Sequence, residues 1–121
     1  MFDNKNKPKG LKRVYLATLN SIRAFKWLIK NEAAFRQELL LLSIASPATF
    51  LFDITVSEQL ILILAILFIL LTEILNTAIE AIVDRVSFEI HPLSGLAKDL
   101  GSAAVLISVV IAVCLWLAVL L

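Results

Sequence analysis

Three carboxylates and one amide recur along residues 73–84 at the spacing of one helix face. They are Glu73, Asn76, Glu80 and Asp84, and at ~100° per residue they fall within about 80° of one another on a helix. Ionisable groups in an apolar helix are costly and usually mark a functional site. Like charges this close repel, which favours a cation or a proton among them. The pattern indicates a Mg²⁺ site with a general base, because Mg²⁺ prefers carboxylate oxygen. The alternative is an ion-pair network that only holds helices together.

A second acidic cluster begins at Glu32. Its spacing from Arg36 is i, i+4, which is compatible with a plain ion pair within one helix. In the functional interpretation, Glu32 instead supplies a second carboxylate to the metal site, since Glu80 alone would give Mg²⁺ few protein ligands.

The connection that follows the acidic helix carries further candidates. Pro92 and Gly95 mark a turn, and Ser94 is a candidate cap for the next helix. Lys98 and Asp99 then fall on the first turns of that helix, at the same end as the acids. Beside a metal site, a lysine could neutralise phosphate charge. His91 in the same connection is interpreted as a surface histidine rather than a ligand.

The composition restricts the class of protein. Of 121 residues, 60% are hydrophobic and only 17% charged, whereas soluble domains are ~45–50% apolar and ~25% charged. An ordinary soluble monomer of this length could not bury so much apolar surface. The single cysteine, Cys114, and single histidine exclude an internal disulfide and a Cys/His zinc site. The sequence has only three glycines and contains neither of the two common Gly-rich phosphate-binding motifs, G-x-x-x-x-G-K-[ST] and G-x-G-x-x-G.

The sequence predicts an all-α integral membrane protein of one domain, residues 1–121. Its helices must position the residues described above. A solvated tail (1–10) precedes a basic amphipathic helix (11–31) that we expect to lie on an anionic membrane surface. Three transmembrane helices are predicted at 33–54, 59–86 and 94–121. All lysines and arginines except Arg85 and Lys98 precede residue 37, which predicts a cytoplasmic amino terminus and a carboxyl terminus outside.

The sequence resembles the prokaryotic diacylglycerol kinase family in three segments. They read NEAAFRQE at residues 31–38, EILNTAIEAIVDR at 73–85 and LSGLAKDLGSAAV at 93–105. The resemblance extends over residues ~10–121. It implies a homotrimer in the bacterial inner membrane, with active sites shared between neighbouring subunits. It also implies transfer of the γ-phosphoryl group of MgATP to the hydroxyl of 1,2-diacylglycerol, which gives phosphatidic acid and ADP for phospholipid recycling.

The resemblance also implies roles for individual residues. Glu73 would be the general base for the lipid hydroxyl, and Asp84 would support the site. Glu32 and Glu80 would hold Mg²⁺. The residues implied in nucleotide binding are Arg13, Glu32, Glu80, Glu89, His91, Lys98 and Asp99, and those implied in lipid binding are Arg13, Glu38, Glu73, Asn76 and Ser102.

Two other functions are compatible with parts of the pattern. Undecaprenol kinase shares the motif of the second span, although residues 31–38 favour the diacylglycerol branch. A small multidrug transporter would also use a buried glutamate, but such transporters usually have four spans and a single membrane carboxylate.

Overall fold

The chain is helical throughout the part that the structure describes. The computed structural model describes residues 9–86 and 88–121. Within these ranges lie four α helices and a 3₁₀ turn over Thr49–Leu51; the helices are α1 (Gly10–Asn31), α2 (Ala33–Ala48), α3 (Val56–Val86) and α4 (Pro92–Leu120). The same ranges contain no strand, which confirms the predicted all-α class. Of the predicted tail at 1–10, residues 1–8 lie outside the described residues.

The chain divides into two compact units, one ending at Arg36 and the other running from Gln37 to Leu121. In the first unit, α1 leaves most of its side chains exposed and buries Leu28. The rings of Phe25 and Phe35 stack with their centroids 6.3 Å apart, which ties the last turns of α1 to the start of α2.

A single residue, Glu32, separates α1 from α2. Its backbone is extended (φ −114°, ψ 108°), and its N–H donates to the carbonyl of Leu28. The Arg36 guanidinium donates to the carbonyls of Ile29 and Lys30, at 2.9 Å and 3.2 Å. Arg36 therefore caps the end of α1 rather than pairing with Glu32, and the plain i, i+4 ion pair is not formed in the described part of the chain.

In the second unit, α2 ends at Ala48, six residues before the predicted boundary at 54. Pro47 lies in its last turn and has no N–H to continue the helical hydrogen bonds. The chain tightens into the 3₁₀ turn, where the Thr49 hydroxyl donates to the Ser46 carbonyl over 2.7 Å. The Gln59 amide donates in turn to Thr49 Oγ1 (3.4 Å), which joins this turn to the start of α3.

Both long helices begin earlier than predicted. A capping box starts α3 at residue 56 instead of 59: Thr55 N–H donates to Glu58 Oε1, and Glu58 N–H donates to Thr55 Oγ1. α4 begins at Pro92 instead of 94, with His91 as its N-cap. Ser94 therefore lies within the first turn, and the prediction that it caps the helix is wrong.

Contacts at four levels, three of them polar, fix the antiparallel register of α3 and α4. The indole N–H of Trp116 donates to the carbonyl of Leu62 (3.1 Å), and the hydroxyls of Thr72 and Ser108 are 2.9 Å apart. Further along, Gly101 lies against the side chain of Asn76. At the last level, Lys98 forms an ion pair with Asp84. Between the first two levels Ala65, Ile69 and Ala112 form an apolar cluster.

Among the described residues, α3 and α4 are the two helices long and apolar enough to cross a membrane. α2 has 16 residues and does not meet that length. Many large apolar side chains on α3 and α4 are exposed, as is expected for helices whose surroundings are lipid or other protein.

Candidate functional site

The acidic stripe lies on the second half of α3, which runs without interruption from Val56 to Val86. Exposure rises along the stripe. Glu73 and Asn76 are 8% and 9% exposed, Glu80 is half-buried, and the side chain of Asp84 is 57% exposed. One helix face therefore carries carboxylates from an apolar environment to a solvated one over about three turns.

Asn76 is the residue that orients Glu80. Its Nδ2 donates to Glu80 Oε1 over 3.3 Å, one helical turn away. Its Oδ1 is buried and accepts no hydrogen bond in the described part of the chain. That oxygen lies against Gly101 of α4, where an added Cβ would overlap it. A side chain at position 101 would displace the Asn76 amide, so glycine is required for this arrangement.

The solvated end of the stripe is tied to α4 by an ion pair. Lys98 Nζ lies 2.8 Å from Asp84 Oδ1, with both side chains partly exposed. An exposed pair of this kind contributes little to stability, because solvent screens its charges. It does hold a cationic group at the end of the stripe, within the field of the α3 carboxylates.

A cavity of about 230 Å³ opens beside this ion pair. The polar residues of its wall are Asp84, Glu89, His91, Ser94 and Lys98. His91 Nδ1 accepts a hydrogen bond from the Leu93 N–H (3.1 Å), which fixes the imidazole at the start of α4. The volume is below the ~300–1,000 Å³ typical of small-molecule sites, so this cavity is too small to enclose a nucleotide-sized ligand.

The remaining predicted residues are placed less centrally. The carboxylates of Glu38 and Glu73 are close enough to interact electrostatically, and Glu38 Oε2 is buried without a hydrogen-bond partner. Asp99 and Ser102 are exposed on α4. Arg13 and Glu32 belong to the first unit of the chain. The second unit thus brings together Glu38, the stripe and Lys98.

No group of three potential ligand side chains in the described residues could hold a metal ion by itself. The available donors are single carboxylates, with Glu80 oriented by the Asn76 amide. Such a set fits Mg²⁺, which is usually bound by one or two protein carboxylates together with waters and substrate phosphates.

Sequence reasoning missed two residues of this region. Gly101 is one of only three glycines and lies in a helical segment, a signal of close helix packing that the sequence did contain. Thr77, 8% exposed with a buried and unpartnered hydroxyl, gave no signal beyond its position one turn after Glu73.

Comparison with known proteins gives one consistent family. The family model described as prokaryotic diacylglycerol kinase matches residues 19–120. The chain is 46% identical over 112 residues to a diacylglycerol kinase of Pseudomonas aeruginosa, covering 93% of this chain and 91% of that protein. It is 41% identical over 111 residues to one of Escherichia coli K12, covering 92% and 91%. One from Helicobacter pylori is 33% identical over 115 residues, covering 95% and 90%.

Proposed function

The chain belongs to the prokaryotic diacylglycerol kinase family, and from that membership we propose a specific reaction and site. The reaction is transfer of the γ-phosphoryl group of MgATP to the free hydroxyl of 1,2-diacylglycerol, with phosphatidic acid and ADP as products. Phosphatidic acid made in this way would return diacylglycerol to phospholipid synthesis.

The observation that carries the proposal is the rise in exposure along α3. Glu73 is 8% exposed, whereas the side chain of Asp84, about three helical turns later, is 57% exposed. A lipid alcohol reaches a protein from the bilayer, and ATP reaches it from water. A stripe that begins among apolar residues and ends in solvent suits a reaction between these two substrates.

In the proposed reaction, Glu73 accepts the proton of the lipid hydroxyl as its oxygen attacks the γ-phosphorus. The bond from the γ-phosphorus to the bridging oxygen of ADP breaks, and ADP leaves. Protein residues contribute mainly alignment and charge neutralisation to such a transfer. Lys98, held by Asp84 at 2.8 Å, supplies positive charge near the phosphates, and Asp84 supports the site by holding it.

Glu80 and Glu32 are the carboxylates that would hold Mg²⁺, and the Asn76 amide would keep Glu80 in position. When bound, Mg²⁺ neutralises charge on the phosphates of ATP. Arg13, Glu89, His91 and Asp99 complete the proposed nucleotide site. On the lipid side we place Arg13, Glu38, Asn76 and Ser102.

The proposed setting is a trimer in the bacterial inner membrane, with three spans in each chain. The 16 residues of α2 and the 3₁₀ turn after it extend together about 30 Å, the thickness of the hydrocarbon core. The basic amino-terminal region supports a cytoplasmic amino terminus. The partial cavity beside Lys98 supports sites that neighbouring chains complete.

The test is phosphorylation in mixed micelles containing 1,2-diacylglycerol or undecaprenol, with and without Mg²⁺. We expect diacylglycerol to be the better acceptor and omission of Mg²⁺ to abolish turnover. Glu73→Gln should lower kcat by about 10²–10⁴-fold, the usual contribution of a general base, with thermal stability close to wild type.

Glu58→Gln is the matched control, because it makes the same acid-to-amide change at the other end of α3. Glutamine also serves at this position of a capping box, so the control should keep its activity. A folded Glu73→Gln protein with normal turnover would contradict the role of Glu73, and a preference for undecaprenol would contradict the proposed acceptor.

A further inference from the structure

Three buried side-chain atoms of the second unit lack a hydrogen-bond partner in the described part of the chain. They are Glu38 Oε2, Asn76 Oδ1 and Thr77 Oγ1. Buried polar atoms in native proteins are nearly always paired, so each unpaired one needs an explanation. Asn76 Oδ1 lies against Gly101, a contact that fixes the position of the amide but supplies no hydrogen bond.

Thr77 differs from the other two buried hydroxyls of α3 and α4, those of Thr72 and Ser108, which both donate to the backbone. Serine and threonine in a helix commonly donate to the carbonyl three or four residues earlier. Five others do so here, at 2.6–2.9 Å: Thr18, Ser21, Ser43, Thr72 and Ser108. The Thr77 hydroxyl makes no such bond although the residue is 8% exposed. Its hydroxyl is therefore buried without the backbone partner that the others have, and any hydrogen-bond partner would come from outside the described part of the chain.

The position of Thr77 identifies where that partner must lie. Thr77 follows Glu73 by four residues, so the two side chains neighbour each other on the same face of α3. The carboxylate of Glu38 is close to Glu73 as well. A partner of the Thr77 hydroxyl would thus lie within one helical turn of the carboxylate that we propose as the base for the lipid.

Hydrogen-bond chemistry then selects the partner. An amide oxygen and an ionised carboxylate only accept, whereas a hydroxyl can also donate. In 1,2-diacylglycerol, the carbon that carries the free hydroxyl adjoins a carbon that carries an ester. An ester carbonyl accepts hydrogen bonds but cannot donate, so neither Asn76 Oδ1 nor an ionised Glu38 can bind it.

We propose that Thr77 is a further lipid-binding residue, which donates from its hydroxyl to an ester carbonyl of the acceptor lipid. The inference rests on the proposed function, and it names the feature that distinguishes a diacylglycerol from an alcohol without esters, such as a polyprenol. A buried donor that loses its partner disfavours the wrong ligand.

The experiment compares a 1,2-diester with a 1,2-diether of glycerol of equal chain length, each with one free hydroxyl. Wild type should phosphorylate the diester with a kcat/KM about fivefold higher, as expected for one neutral hydrogen bond. Thr77→Val should remove this preference by lowering kcat/KM for the diester alone, with KM for MgATP unchanged. Thr77→Ser should keep the preference. Thr77→Ala should lose it, and serves as a second variant if valine prevents folding.

Thr72→Val is the matched control, since it removes a hydroxyl from the same helix that is bonded to Ser108 and Ile69. It should lower the melting temperature and leave the diester preference intact. Thr77→Val should not lower the melting temperature, because the hydroxyl that it removes is unpaired in the free enzyme.

Retention of the diester preference by Thr77→Val would overturn the inference. So would a fall in its melting temperature like that of Thr72→Val, since the hydroxyl would then be bonded within the assembled protein. Both results leave the proposed function standing. If wild type phosphorylates neither lipid, the proposed function fails and the inference with it.

Discussion

At the scale of single residues, the contact between Asn76 and Gly101 determines how the acidic stripe is arranged. The Asn76 amide fits between α3 and α4 only because position 101 has no side chain. From there its Nδ2 reaches Glu80. A residue on α4 that carries no functional group therefore controls the orientation of a carboxylate on α3.

Gly101→Ala tests this control. The added methyl group overlaps Asn76, and overpacking of this kind costs about 1–3 kcal/mol. We expect a lower melting temperature and a several-fold rise in KM for MgATP, because Glu80 loses the amide that orients it. Gly95→Ala is the stability control, since nothing lies within 4 Å of a Cβ there. It should raise stability by about 0.5–1 kcal/mol. Gly101→Ala with wild-type stability and KM would contradict the account.

The residues of the stripe and the place of Lys98 at its end were predictable, whereas the contact of Gly101 with Asn76 was not. Glu73, Asn76, Glu80 and Asp84 share a face because of the period of one helix, which can be read from the sequence. The fit of Gly101 onto Asn76 depends on the rotation and register of two helices relative to each other. Whether the Thr77 hydroxyl finds a partner depends on the same packing, so it also required the structure.

At the scale of elements, the break at Glu32 depends on Arg36. The end of a helix leaves carbonyl groups without partners, and the Arg36 guanidinium satisfies two of them, those of Ile29 and Lys30. A positive charge alone at position 36 would not replace these bonds, because they depend on the length of the arginine side chain and its reach back across Glu32.

Arg36→Met should therefore destabilise the end of α1. We expect a loss of about 1 kcal/mol, the net value of a typical hydrogen bond at an exposed site. Backbone amides at residues 31–33 should exchange faster in hydrogen–deuterium exchange. Lys30→Met is the control. It removes an equal charge from the last turn of α1 but no side-chain hydrogen bond to these carbonyls, so its backbone amides should exchange as in wild type. Equal protection in both variants would contradict the capping role.

Helix identity was easier to predict than helix ends. Apolar periodicity indicated α1 and long apolar runs indicated the other three helices, but α2 stops at Ala48 while its apolar run continues to Phe52. The sequence does contain the Thr55–Glu58 capping pair and the Pro92 that begins α4. Both are recognised start signals. The missed signals were local, whereas the Ala48 end reflects Pro47 together with the tertiary contact of Thr49 with Gln59.

At the scale of the whole molecule, the proposed trimer would complete each site with a residue from a neighbouring chain. Lys98 contacts Asp84 of its own α3, while Asp99, the next residue, is exposed. Successive helical residues diverge by ~100°, so Asp99 does not face the stripe of its own chain. Asp99 is then available to a neighbouring copy in the proposed trimer.

Mixing inactive variants tests this sharing. Trimers assembled from equal amounts of Glu73→Gln and Asp99→Asn chains should recover activity, because some sites receive an intact residue from each neighbour. Random assembly gives roughly a quarter of wild-type activity for two-chain sites in a closed ring. A mixture of Glu73→Gln and Lys98→Met chains should show no more activity than either variant alone, because both residues would serve a site from the same chain. Equal recovery in the two mixtures would contradict the assignment of Asp99 to the neighbour.

The hydrogen bond from Trp116 to Leu62 lies at the end of the helix pair away from the acidic stripe. The sequence has only two tryptophans, and the other, Trp27 on α1, is half exposed. Indole emission responds to the loss of a hydrogen bond and to solvent, so replacing Trp27 with phenylalanine leaves Trp116, between α3 and α4, as the single indole. The protein thereby carries its own optical reporter, which would allow separation of these two helices to be followed in a bilayer without a chemical label.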